Sequence, residues 1–261
     1  MASTDSPAVI DRVDLAQLFS ILKQQGYQLI GPKIQADAIV YDEIETPLDL
    51  PIGWIDEPED GIDRLKRRND SAVFGYSVSP HSWKKYLFQP HHRLWQADDR
   101  RSGFEPQHPD RPESAKHAVI GVRACELAAI KIQDQVFLQG EVVDPDYQAH
   151  RQQLFIVAVN CGQAGNTCFC TSMNTGPATA QGYDLALTEV LSQHRHYFVV
   201  SVGSDAGLAV LQQMPHEPAT EFEQQTAQVI IANTAQTMGR TMDTANLKEQ
   251  LYQNLEHSRF C

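Results

Sequence analysis

The chain has 261 residues, enough for one large domain or two small ones, and a domain of this size buries roughly 70–75% of its unfolded surface. Its 42% apolar and 21% charged composition excludes wholesale disorder and fibrous repeats, and its longest uninterrupted apolar run, Leu154–Val159, falls short of the ~20 residues of a membrane-spanning helix. The 33 acidic against 21 basic side chains leave a net charge of -12, which repels a nucleic-acid backbone and argues against such a partner.

Asp5, Asp11 and Asp14 interrupt the amino-terminal apolar residues, and no cationic lead-in precedes them, so a signal peptide is not expected. After Ser6-Pro7, the stripe Val9, Ile10, Val13, Leu15, Leu18, Phe19 and Leu22 predicts a helix that stops at Gly26. Residues 27–32 and 38–41 read as short strands joined by a turn, and the Asp-, Glu-, Pro- and Gly-rich stretch 42–70 reads as a solvated surface excursion. Residues 72–76 form a strand candidate, 83–87 a helix candidate, and the proline-punctuated 96–116 a mobile loop or linker.

After Lys116 the pattern sharpens. Residues 118–122 predict a compact strand, 126–138 a helix, 154–159 a buried strand, and 183–191 with 197–202 an antiparallel pair turning at His194-Arg195-His196. Residues 205–214 resume a helix, and 221–260 are helix-rich. The expected fold class is α/β, a mixed β-sheet flanked by helices, with a helical carboxy-terminal segment. Residues 1–220 then form an α/β module, with 96–116 the place where it would divide, and 221–261 a helical segment.

Five cysteines in such a chain are expected to be reduced and, where they cluster, to bind metal or do redox chemistry. Cys125 follows strand 118–122, Cys161 follows strand 154–159, and Cys168 and Cys170 lie in the next loop. If these strands are parallel neighbours, their carboxyl ends open on one crevice and all four thiols reach one point. An iron–sulfur cluster accepts such irregular spacing, whereas four-cysteine zinc sites more often pair C-x2-C knuckles, which this chain lacks. Zinc and simple core packing remain open on spacing alone.

Gly162 and Gly165 would let the backbone approach such a group closely, and Thr167, Thr171 and Ser172 would donate hydroxyls to its sulfurs. Arg123 and the positive helix end at Cys125 would offset its negative charge. Elsewhere, His81, His91 and His92 lie among Trp83, Lys84, Lys85, Tyr86, Phe88, Arg93 and Trp95, a stretch that reads as a partner-binding surface rather than a metal site. Ser204 or Asp205 is the expected N-cap of the helix that follows, and no cofactor is assigned there.

The run Gly121-Val122-Arg123-Ala124-Cys125-Glu126-Leu127-Ala128-Ala129-Ile130 resembles G-V-R-P-C-D-L-x-A-I, and Thr167 to Met173 with Thr175-Gly176-Pro177 resembles T-C-F-C-x-S-M-x-T-G-P. Residues 38–41, 50–54 and 74–85 add further likeness. These motifs are similar to those of the iron–sulfur beta subunits of cytoplasmic (sulf)hydrogenases and of the corresponding iron–sulfur component of anaerobic sulfite reductase. The resemblance implies one [4Fe-4S] cluster on Cys125, Cys161, Cys168 and Cys170, electron transfer in the cytoplasm, and two partners: a flavin subunit that exchanges hydride with NAD(P)H and a catalytic metal subunit. Ala124 and Glu126 replace the family's Pro and Asp. In the family, a segment like 251–260 leads into a ferredoxin-like domain with C-x2-C-x2-C-x3-C ligand sets; this sequence stops at Cys261, which matches none of them clearly. The alternative expectation is therefore a non-redox docking or assembly module with structural zinc or no metal. A thiol enzyme built on Cys125 lacks a recognisable His or Asp partner.

Overall fold

The computed structural model describes residues 6–59, 62–77, 82–88, 115–192 and 194–255. The strands are β1 (Ala8–Asp11), β2 (Gln28–Gln35), β3 (Ala38–Glu43), β4 (Trp54–Glu59), β5 (Ile62–Arg67), β6 (His117–Val122), β7 (Leu154–Val159), β8 (Leu185–Leu191), β9 (His196–Val202) and β10 (Glu217–Pro218). The helices are α1 (Leu15–Gln24), α2 (Lys84–Leu87), α3 (Ala124–Leu138), α4 (Pro145–Gln152), α5 (Asp205–Leu211), α6 (Glu221–Gln236) and α7 (Leu247–Gln253).

One mixed sheet runs in the order β10-β1-β9-β8-β7-β6-β2-β3, and β4 pairs with β5 in a separate hairpin. Its centre, β2-β6-β7-β8, is parallel, and its flanks are antiparallel. The near-continuous apolar sequences of β6 and β7 are what a parallel strand needs when helices cover both of its faces. On one face, Leu18, Phe19 and Leu22 of α1 with Val210 and Leu211 of α5 pack over Leu29, Ile120, Val157 and Phe198. On the other, Leu127 and Ile130 of α3, Tyr147 of α4 and Leu87 of α2 cover Val119, Ile156 and Ala158. Ala227 and Ile230 of α6 extend that layer over Val190 and Val199. Each such buried side chain contributes roughly 1.5–3 kcal/mol.

The mixed sheet, the β2–β3 turn at Ala36-Asp37, the β8–β9 pair and the helix after β6 follow the sequence reading. Four segments differ. Val9 and Ile10 are not helical but lie in β1, opposite Val199 and Phe198, and α1 begins only at Leu15. Asp14 breaks the stripe by accepting the Asp11 amide at 3.1 Å. Stretch 42–70 is not merely a solvated excursion: it contains the β4–β5 hairpin, and Ile44 and Leu50 are buried in the core. Residues 72–76 form no strand, because their polar backbone groups bond to side chains instead of a ladder. Helix α4 is an addition, capped by the Asp144 carboxylate on the amides of Asp146 and Tyr147. Most of 96–116 lies outside the described residues.

Candidate functional site

Strands β6 and β7 pair in parallel from His117 opposite Leu154 to Val122 opposite Ala158, so both chains leave the sheet at the same edge. Beyond β6 come Arg123 and then Cys125, the second residue of α3. Beyond β7 come Asn160 and Cys161. The Asn160 amide pins the ends of the loop that follows, donating to Thr188 Oγ1 at 2.8 Å while its oxygen accepts from Thr179 N at 2.7 Å and Thr179 Oγ1 at 2.9 Å. Turns at Cys168 N to Gly165 O and Thr175 N to Cys170 O, both 3.0 Å, fold the loop back.

The result brings Cys125, Cys161, Cys168 and Cys170, all free and half-buried, to the wall of one cavity of about 350 Å³. Ser77, Thr167, Phe169, Met173, Pro177, Thr234 and Met238 complete much of the lining. Cys261 lies outside the described residues.

Burial pushes the Cys125 thiol up to about 12, helped by Glu126, Cys161 and Cys170 and opposed by Arg123. Burial likewise raises Cys161 and Cys170. Thiols so placed stay protonated unless a cation compensates them, so none of the three is an activated nucleophile. At Cys168 the backbone already helps: Gly165 N donates to its sulfur at 3.3 Å.

Arg123 is only 2% exposed, and among the described residues no carboxylate forms an ion pair with it. Its Nη2 donates to Phe74 O at 2.7 Å and Tyr76 O at 3.0 Å, Nη1 points at Cys161 Sγ at 3.9 Å, and buried Nε has no partner. The guanidinium also sits 4.7 Å from the Tyr76 ring centre. Burial alone would lower its pKa, but Cys161, Tyr76, Tyr41 and Glu126 raise it. The site therefore holds a fixed, buried cation beside the sulfurs, with the Glu126 carboxylate close enough to stabilise it.

Several supporting residues escape the sequence reading. The Glu189 carboxylate in β8 accepts the amide hydrogens of Val73 at 2.6 Å and Phe74 at 2.9 Å, and bonds His196 Nε2 at 2.7 Å. Its signal was a lone carboxylate within an apolar strand. Tyr76 reaches under Arg123 because Gly121, at φ +87°, has no side chain; a Cβ there would meet the Tyr76 hydroxyl at 2.8 Å. Residues 238–242 cross the cysteine loop, with Arg240 N donating to Cys168 O at 2.9 Å and Met242 N to Ser172 Oγ at 3.0 Å.

Other expectations need correction. Thr167 lines the cavity, Thr171 and Ser172 stand outside the lining, and the Ser172 oxygen accepts from Met242 N. Gly165 is held close to Ser77, and Gly162 lies in ordinary contact with Ile230, contacts with the chain itself that leave their approach to a bound group open. Trp83 is not part of a surface but is buried in the core, while His81, His91, His92, Arg93 and Trp95 lie outside the described residues. Ser204 is the N-cap of α5, accepting from Gly207 N at 3.0 Å.

The donor set fits an iron–sulfur group: four soft thiols around one cavity, a backbone donor on one sulfur and a buried cation beside another. Among the described residues no three His, Cys, Asp or Glu side chains draw close enough to hold a single metal ion.

No family model matches the chain. Among solved structures, a chain of the F420-reducing [NiFe] hydrogenase complex from Methanosarcina barkeri aligns over 88% of this chain and 89% of its own length, with a TM-score of 0.43 and 10% identity. In sequence, the chain is similar to sulfhydrogenase 2 subunit beta of Pyrococcus furiosus, 36% identical over 92 residues, an alignment that takes in 35% of this chain and spans a quarter (25%) of that relative.

Proposed function

We propose that the chain is an electron-transfer subunit of a hydrogenase-related complex and holds one [4Fe-4S] cluster on Cys125, Cys161, Cys168 and Cys170. The single observation that carries this reading is the convergence of the four thiols on one cavity from the ends of two parallel strands. The 36% identity with a sulfhydrogenase beta subunit supports the hydrogenase relation. Thiolates on one tetrahedral zinc stand only ~3.8 Å apart, given a Zn–S bond of ~2.3 Å. The cavity of about 350 Å³ that all four cysteines line leaves room for a larger, multi-iron group.

When bound, such a cluster accepts and returns one electron at a time. The residues of the chain do the rest. Cys161 and Cys125 are anchored by the sheet and α3, Cys168 and Cys170 by a loop tied at Asn160 and covered by 238–242. Phe169, Met173, Pro177 and Met238 give the cavity an apolar lining, and Arg123 supplies positive charge. The partners in this reading are a flavin subunit reacting with NAD(P)H and a catalytic metal subunit, with hydrogen, sulfur or sulfite as the terminal substrate.

Anaerobic reconstitution with iron and sulfide tests it. The expected product is brown, with a broad thiolate-to-iron band near ~400 nm that Cys168→Ser and Cys170→Ser abolish. A colourless protein carrying a single zinc per chain overturns the reading in favour of a docking module.

A further inference from the structure

We propose that Glu189 is a positioning residue for Arg123 and, through Arg123, raises the reduction potential of the group on the four thiolates; this rests on the cluster reading above. The two residues never touch. They are joined by the segment 72–77, which belongs to neither sheet.

Glu189 is 8% exposed and lies in the middle of β8, where its carboxylate holds the amides of Val73 and Phe74. The other side of the same peptide segment faces the site: Phe74 O and Tyr76 O both accept from Arg123 Nη2. That fork leaves Nη1 aimed at Cys161 Sγ. A long side chain such as arginine has many rotamers, and two carbonyls fixed by an anchored backbone select one of them. Without Glu189 the Val73 and Phe74 amides lose their partner, the segment loosens, and the guanidinium loses its fixed distance from the sulfur.

The electrostatic consequence has a definite sign. Each electron taken from an external donor adds one negative charge to the bound group. A cation close to Cys161 lowers the energy of that more negative state, and its own burial, at 2% exposure, weakens the screening of its charge. The arrangement therefore favours reduction. A carboxylate that only satisfied two amides would influence folding stability and leave the potential alone.

The test uses the reconstituted full chain, titrated anaerobically with dithionite and mediators while the band near ~400 nm is followed. Arg123→Met shifts the midpoint to more negative potential, and Glu189→Gln, which keeps the side-chain volume, shifts it the same way by less. The double variant shifts no further than Arg123→Met, because Glu189 acts only through Arg123. A bound cluster whose potential ignores Glu189→Gln, or shifts that add in the double variant, overturns this inference and leaves the cluster reading standing. A wild-type chain that takes up no cluster overturns the cluster reading and the potential claim together. Amide exchange on the apoprotein then reads the anchoring alone: Val73 and Phe74 exchange faster in Glu189→Gln, and unchanged exchange defeats the anchoring as well.

Discussion

The Arg123 guanidinium stands 3.9 Å from the Cys161 sulfur, the one cation-to-thiol hydrogen bond among the described residues, and both groups are held by backbone rather than by flexible surface side chains. Among the described residues this positive charge has no carboxylate within ion-pair distance, and a loaded site would add an anionic neighbour to it. Loading is therefore expected to raise the thermal midpoint of the wild type more than that of Arg123→Met. Chelator stripping followed by calorimetry measures the two differences, and equal differences would show that the cation is indifferent to the site.

Gly121 is the residue that makes room for Tyr76. Gly121→Ala places a methyl group at a left-handed backbone and against the Tyr76 hydroxyl, and costs about 1–3 kcal/mol or more. Urea midpoints of the two proteins decide this, with an unchanged midpoint counting against the packing described.

Asn160 serves three partners at the mouth of the cysteine loop. Asn160→Leu leaves Thr179 N and Thr188 Oγ1 without them, at a cost of ~1–3 kcal/mol for each group that stays buried and unpaired. Faster amide exchange at Thr179 with β7 still protected is the expected signature. Uniform loss of protection across β7 would mean that Asn160 supports the sheet instead.

His117 gives a pH dependence. Burial, with a smaller contribution from the His150 charge, lowers its pKa below the usual 6.5, and its ring packs 5.4 Å from that of Tyr86. The unfolded chain thus takes up the proton first. The stabilisation is fully present above pH ~6.5 and is lost as acid carries the ring through its lower native pKa. His117→Gln should flatten the fall in stability between neutral and mildly acidic pH, as measured by urea denaturation at a series of pH values. An identical slope in both proteins would remove His117 from the account.

The parallel neighbours β6 and β7 were legible because both faces of each are covered, so their apolar runs have no alternation to mislead. The shared cavity of the four cysteines follows in part from the strands that Cys125 and Cys161 come after, with Cys168 and Cys170 brought there by the loop beyond β7. Val9 and Ile10 were harder, since a fully buried strand beside a helix prolongs the helix's apolar stripe. The β4–β5 hairpin carries charges where the alternation of a half-buried strand would show. Segment 72–77 has the composition of a strand, but its bonding partners, Glu189 and Arg123, are distant in the chain, and no local pattern could announce them. Ser172 has a hydroxyl suited to a sulfur, and only the path of residues 238–242 shows that its oxygen also accepts the Met242 amide.

That path also sets an order of events in the cell. Cys168 O and Ser172 Oγ receive their hydrogen bonds from Arg240 and Met242, which leave the ribosome only after all four thiols have been made. At a translation rate of roughly 5–20 residues per second, the gap after Cys125 is on the order of ten seconds. Throughout it, the nascent loop is uncovered and open to oxidants. On the proposed reading, metal delivered before residue 242 has emerged would meet an unfinished pocket, so loading would follow the arrival of residues 238–242.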